Sequence, residues 1–394
     1  MKKKLNAIIV MLTVLILVSG SVLRAQDSTR ISPFHLSFVT PLGTNGLESW
    51  NTTNLVSVNL FAGYSGGLKG VEIAGFANAL KGDMKGVQGA GFCNNTLGKA
   101  NGLEIAGFWN FNRLRINGLQ AAGFINLAMD TVCGIQGAGF ANVTLDTVIG
   151  FQGSGFANYA RGVSFGQASG FANVSTGDVN GVQGAGFVNV TIGDNQGVQA
   201  AGFANITTGT QTGVQASGFF NYARKLRGVQ VSVVNVADTV EKGIPIGVFS
   251  FVRHGYKVIQ IGANETLFGE ISFKTGTTRF YNIFSVGAAP RKESLKWGWG
   301  YGIGTLIPLA KRMDLSLEGI SYHVNEDTWF TDYLNSLNRL NLSLSYNLTG
   351  RIGVYAGASW NVRVTRYGSH EGWQVGNSMV SMYPGLMAGI RIGL

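Results

Sequence analysis

Past Ala25 the chain has no continuous apolar run long enough to cross a bilayer as a helix, which takes roughly 20 residues. If it enters a membrane it must do so as a closed barrel, the other way to satisfy every backbone polar group in hydrocarbon. Charge is scarce as well, at 13% of residues, or about half the usual share. Apolar residues are plentiful, so the scarcity does not describe a disordered chain. No Lys/Arg run interleaved with aromatics follows a groove, which excludes a nucleic-acid partner. The two cysteines, Cys93 and Cys133, fall at different places in the repeat described below and offer no disulfide framework. His35, His254, His323 and His370 lie far apart without metal-ligand spacing. Nothing arranges a nucleophile, a base and an orienting group. The expectation is a protein that is not an enzyme and holds no cofactor and no metal.

What is abundant is glycine, 58 residues, without the strict triplet of collagen. It belongs to a sentence written repeatedly between about Gly70 and Asn235, G-V-Q-x-A-G-F-x-N followed by a polar turn. The fixed positions are Phe76, Phe92, Phe108, Phe124, Phe140, Phe156, Phe171, Phe187, Phe203 and Phe219. With them go Asn78, Asn94, Asn110, Asn126, Asn142, Asn158, Asn173, Asn189, Asn205 and Asn221. The steps are 16 residues with one of 15, the mark of an array whose units bury a face only against their neighbours.

The first 25 residues combine Lys2, Lys3 and Lys4 with an apolar core from Ala7 to Val18 and small residues before Ala25. That is a secretory signal peptide, residues 1–25. Its removal takes the formal charge from +10 to +6, since Lys2, Lys3, Lys4 and Arg24 leave with it. The remaining divisions are 26–53, an N-terminal strand and loop; 54–251, the tandem repeats; and 252–394, C-terminal barrel strands.

Within a repeat, successive residues of a strand face opposite sides. Odd positions counted from the first Gly, such as Val71, Ile73, Leu119 and Ile125, vary in size and are never charged. Even positions hold the near-fixed Gln/Glu, Ala/Ser, Phe and Asn. Two architectures generate this pattern. In a membrane barrel each repeat is one strand and a turn, with the variable face toward lipid and the fixed face, Phe included, inward. In a β-solenoid each repeat is one coil, and the fixed residues stack into ladders. The barrel is preferred, because a strand of about 11 residues suits a tilted bilayer crossing and a unit such as TIGDNQ, 191–196, offers no second apolar strand to close a solenoid core.

After Asn235 come strand-like segments at 267–274, 279–288, 296–308, 312–324, 337–348, 351–364 and 384–394, joined alternately by short and long connections. That alternation suits a barrel with small turns at one end and large loops at the other. Ile244–Arg253 and Lys257–Ala263 flank His254-Gly255, a candidate hairpin turn. Trp297, Trp299, Tyr301, Tyr322, Trp329, Tyr346, Tyr355 and Trp360 supply candidates for interfacial girdles. Gly298, Gly300, Gly302 and Gly304 keep a period of two, which places them on one face of a strand and not in a phosphate loop. The fold expected is thus all-β, an antiparallel outer-membrane barrel of about 22 strands if the repeats join the C-terminal strands. The alternative is a 16-residue-repeat solenoid joined to a C-terminal barrel of roughly 8 to 10 strands.

The G-V-Q-x-A-G-F-x-N array after PLGTNG (Pro41 to Gly46), followed by TGTTRFYNIFSVGAAP (Thr275 to Pro290) and WGWGYGIG (Trp297 to Gly304), resembles the surface-repeat outer-membrane proteins of Bacteroides-like bacteria and spirochaetes. The resemblance covers most of the mature chain and implies a location, the outer membrane or cell surface of a diderm bacterium, and no activity. Ile390, Ile392 and Leu394 alternate to the C-terminus, similar to the assembly signal of outer-membrane barrels, with Leu394 where an aromatic is usual. The function expected is a non-catalytic surface-exposed repeat protein with a structural or interaction role, its partners being outer-membrane lipid and an extracellular or host ligand. The alternatives are an outer-membrane pore and a surface solenoid acting as an adhesin or binding module.

Overall fold

The computed structural model describes residues 30–290, 295–326, 328–366 and 372–394. The expected signal peptide and His370 lie outside the described residues. The chain is all-β, built from a parallel solenoid of about 12 turns and a closed eight-stranded antiparallel barrel. It divides into two compact units, Met1–Ile149 and Gly150–Leu394. The described part of the first is solenoid; the second holds further solenoid coils and the whole barrel.

In the first unit each repeat is one coil with two arms. Met84–Ala90 forms a long arm, Gly91 and Phe92 make a bend, and Cys93–Thr96 forms a short arm. After a polar turn the next coil repeats the plan with Ala100–Ala106 and Trp109–Asn112. Neighbouring coils pair in parallel with like on like: Gly86 with Gly102, Gln88 with Glu104, Asn94 with Asn110. The array starts upstream of the first clear repeat, where Arg30–Val39 pairs in parallel with Thr52–Ser65.

The 22-strand antiparallel barrel is therefore corrected. A repeat contributes two short parallel strands and not one long strand with a turn, because the Gly-Phe pair bends the chain where an unbroken strand was expected. The missing second apolar strand proves no obstacle, since the short arm closes the coil with Asn and the interior mixes amides with apolar side chains such as Leu80, Met84 and Val132. The long-arm glycine serves the stacking: Gly118 sits at φ +144°, and a Cβ on it would run into the carbonyl oxygen of Gly102. That backbone region is one L side chains rarely adopt.

The second unit continues the plan through Ala172–Ser175, Val179–Ala185, Val188–Thr191, Asn195–Ala201 and Ala204–Ser217 to the last coil, Ile244–Ile246 and Phe249–Val252. His254-Gly255 is not a hairpin turn. Phe249–Val252 pairs in parallel with Val234–Val240, while Tyr256–Asn264 pairs with other barrel strands, so the chain turns a corner there from one architecture to the other.

The barrel strands are Tyr256–Asn264, Gly269–Gly276, Tyr281–Pro290, Leu295–Ala310, Met313–Glu326, Asn335–Asn347, Ile352–Thr365 and Ser378–Gly393, each antiparallel to the next. Tyr256–Asn264 also pairs with Ser378–Gly393, which closes the ring. Connections 277–280, 311–312 and 348–351 lie at one end; at the other the chain passes from Asn264 to Gly269 in four residues and takes longer stretches from Glu326 to Asn335 and from Thr365 to Ser378. Gly300 and Gly304 face inward, where a Cβ would strike the rings of Tyr322 and Tyr281. These two of the period-two glycines make room for buried tyrosines.

Candidate functional site

The fixed polar residues of the repeat are the solenoid interior. In the first unit Asn78, Asn94, Asn110, Asn126 and Asn142 are fully buried. Each of the first four donates through Nδ2 to the Oδ1 of the next, at 2.9–3.1 Å. The same nitrogen also reaches the facing long arm, as in Asn94 to the carbonyl of Ile105 at 2.8 Å and Asn126 to that of Gly137 at 2.8 Å. The Asn thus ties coil to coil and arm to arm, and a buried amide so placed leaves no costly orphan donor. The Gln ladder runs with the opposite polarity: Gln136 Nε2 donates back to Gln120 Oε1 at 2.7 Å, and Gln120 back to Glu104 at 2.9 Å. The second unit repeats both, with Asn158 to Asn173 and Asn173 to Asn189 at 2.9 Å, Asn189 to Asn205 at 2.9 Å, Asn205 to Asn221 at 3.0 Å, and Gln183 to Gln167 at 2.9 Å.

Two carboxyls stand in the first unit's Gln ladder. Glu72 accepts from Gln88 at 2.8 Å; Glu104 accepts from Gln120, from Asn112 at 3.0 Å and from Thr96 at 2.8 Å. Desolvation raises both above the ordinary Glu range, against the opposing pull of those hydrogen bonds.

The phenylalanines, expected inward, are on the outside. The bend at Gly-Phe resets the strand alternation, so an even-numbered Phe lands on a corner and only the Asn beyond it turns in. In the first unit Phe76, Phe92, Phe108, Phe124 and Phe140 stack at 4.8–5.0 Å between ring centroids, the spacing of the parallel strands beneath them. In the second, Phe156, Phe171, Phe187, Phe203 and Phe219 stack at 4.9–5.3 Å. Phe203 keeps 42% of its surface exposed. On the long arms the odd positions face outward as expected, Ile73, Ile105, Ile135 and Val182 among them, whereas Cys93, at an odd position on a short arm, is buried. Charges collect at the opposite corner, at Lys81, Asp83 and Lys99 in the first unit and at Arg161, Asp178, Arg224 and Lys225 in the second. Most coils therefore have an apolar edge and a charged edge around an interior rich in amides.

The barrel has the same inversion by different means. Its lumen is filled by ion pairs: Lys274 with Glu318, which also accepts from Tyr281 Oη at 2.7 Å; Arg339 with Glu270 at 3.0 Å; Arg363 with Glu326 at 2.9 Å; and Arg391 with Asp314 at 3.2 Å. Its outward positions are apolar: Leu340, Leu342 and Leu344 on one strand, Ile352, Val354 and Trp360 on the next, and Leu386 and Ile390 on the last. The lumen groups were missed from the sequence, although Glu270 and Lys274, four apart on one strand face, were a readable sign of a charged inner wall.

At the corner between the architectures the last coil meets the outside of the barrel. Asn282, on the outward face of its strand, accepts from the backbone N–H of Ser250 at 2.8 Å and donates to the carbonyl of Gly247 at 2.7 Å. Thr275 Oγ1 donates to the carbonyl of Ser250 at 3.2 Å, and Phe249 packs against Phe284 at 5.9 Å. An open parallel edge would invite pairing with another chain; here side chains of the barrel wall take its backbone groups.

Among the described residues no group of His, Cys, Asp and Glu is placed to hold a metal, and no helix is long and apolar enough to cross a membrane. Cys93 and Cys133 are free thiols. In comparisons with known proteins, no family model, curated protein or solved structure matches the chain.

Proposed function

We propose that the chain is a non-catalytic outer-membrane protein in which the eight-stranded barrel is the bilayer anchor and the solenoid is a structural or interaction module held against it. This keeps to the repeat-protein family that the sequence resembles. The observation that carries the reading is the inverted barrel, with ion pairs inside and an uncharged apolar belt outside. From Ile352 to Val364 every outward residue is apolar, a stretch of about 40 Å along the strand. A tilt of roughly 40° brings it near the ~25 Å apolar band of transmembrane barrels. A soluble barrel would put these residues inside.

The filled lumen leaves the pore alternative without support, since eight strands enclose a space just wide enough for the side chains that occupy it. The solenoid enters the barrel at Tyr256, the end that carries the short turns. In outer-membrane barrels short turns face the periplasm, so the module belongs on that side, which disfavours a host-facing adhesin. The test is fractionation together with gel mobility before and after heating. The protein is expected with the outer membrane, with a heat-dependent band shift, and with its repeats protected from protease added to intact cells. Recovery in a soluble fraction would overturn the anchor, and cleavage of the repeats on intact cells would overturn the sidedness.

A further inference from the structure

The second unit's solenoid coils are amphipathic from edge to edge, and their last member sits on the barrel's outer wall. The aromatic edge runs from Phe156 to Phe219 and continues in register through Val233 and Val248, the residue before Phe249. On the outer face of the short arms, Tyr159 and Tyr222 point their hydroxyls toward the charged edge, to Thr176 and Asp238 at 3.4 Å each. Beyond them stand Arg161 and Arg224. Apolar residues, then tyrosines, then charges is the order in which side chains are met on leaving a bilayer. An exposed apolar stripe of this length on a water-soluble rod would be unusual.

The direction of the rod follows from its hydrogen bonds. In a solenoid the backbone N–H and C=O groups point along the axis, and those of Ser250 and Gly247 end on Asn282, an outward residue of the wall. The axis therefore meets the wall sideways, at the short-turn end of the apolar belt, and the coils lead away from there. We infer that the Phe edge of these coils is seated in the bilayer leaflet on the short-turn side, with phospholipid acyl chains as its partner and the charged edge in water. It would bind as an amphipathic helix lies in a membrane interface. This rests on the barrel being the bilayer anchor. The Phe edge is continuous with the coil seated on that barrel's lipid-facing wall, which favours lipid over a second copy or another protein.

The test uses the full chain in phosphatidylethanolamine/phosphatidylglycerol liposomes, with a photoreactive benzophenone amino acid placed singly at Phe203, Phe171, Arg224 or Leu340. Heat-dependent mobility confirms that each variant is folded, and adducts are identified by mass spectrometry. Phe171 serves as a second ladder position if the Phe203 variant does not fold. Lipid adducts are expected at Leu340 and at the ladder positions, with at least a tenfold lower yield at Arg224. Lipid at Leu340 with only protein adducts, or none, at the ladder would overturn the inference and leave the anchor standing. Equal lipid yield at Arg224 and Phe203 would overturn the edge-on seating. Absence of lipid at Leu340 would overturn the anchor itself, and the inference with it.

Discussion

Solenoid and barrel both turn polar side chains inward and apolar ones outward, yet they satisfy their interiors in opposite ways. The solenoid uses mostly amides, bonded to their counterparts one coil away, with the carboxyls of Glu72 and Glu104 taken into the same ladder, so each loss is local. The barrel uses ion pairs between strands distant in sequence, Lys274 with Glu318 and Arg363 with Glu326, so removing one partner strands the other. A polar core can thus be built from repetition or from complementarity, and the two fail differently.

The barrel should suffer most from a single substitution. Glu318→Ala leaves the buried Lys274 without its partner beside Tyr281 and should cost about 3–5 kcal/mol, the range for a broken buried pair. Reversible folding of the full protein into liposomes would measure it, and a loss of only a few tenths would mean that the lumen is wet. In the solenoid, Asn126→Ala removes the acceptor of Asn110 and the donor to Gly137 and Asn142. It should cost about 1–3 kcal/mol, and Asn94→Ala and Asn110→Ala should cost nearly the same. Losses that alternated along the array would contradict parallel coils.

A smaller effect should be a gain. Phe165 occupies the long-arm glycine register opposite Gly181, at φ +119°. The double substitution Phe165→Gly, Gly166→Val restores the repeat and should stabilise by about 1–2 kcal/mol, the strain of a non-glycine residue held there. An unchanged or lowered melting temperature would count against that strain. The smallest effect concerns Glu104. Its carboxyl is raised in the folded state, so its favourable contribution is complete below the unfolded Glu range and is lost as pH climbs through the raised value. Glu104→Gln fits the amide ladder without a proton to lose. Its gain in melting temperature should grow as pH rises above the ordinary Glu range, and a gain independent of pH would remove Glu104 as the cause.

The repeats were easy to read because each residue's partner is its own copy 16 positions on, so the period alone marks the ladders of Phe and Asn. What the pattern concealed was the Gly-Phe bend. Strict alternation carried through Phe76 places that ring inside, and only a corner there sends it out and makes two parallel arms of one expected strand. The barrel strands were legible from alternation and loop lengths, and Asn335–Asn347 and Ile352–Thr365 lie close to their expected bounds. The lumen pairs were not, because nothing local joins Arg339 to Glu270 or Arg391 to Asp314. Asn282 was invisible for the same reason, since its partners at Gly247 and Ser250 belong to a different architecture.

If the outward apolar residues of the barrel face lipid, as we claim, the single substitution Leu342→Arg should be costly. Leu342 is exposed in mid-belt, with Leu340 and Leu344 on either side along the strand. Folding of wild type and variant into liposomes should differ by about 2–4 kcal/mol, the cost of an arginine near the bilayer midplane. Equal folding free energies, or a wild-type chain that folds and stays in the aqueous phase without liposomes, would contradict the claim.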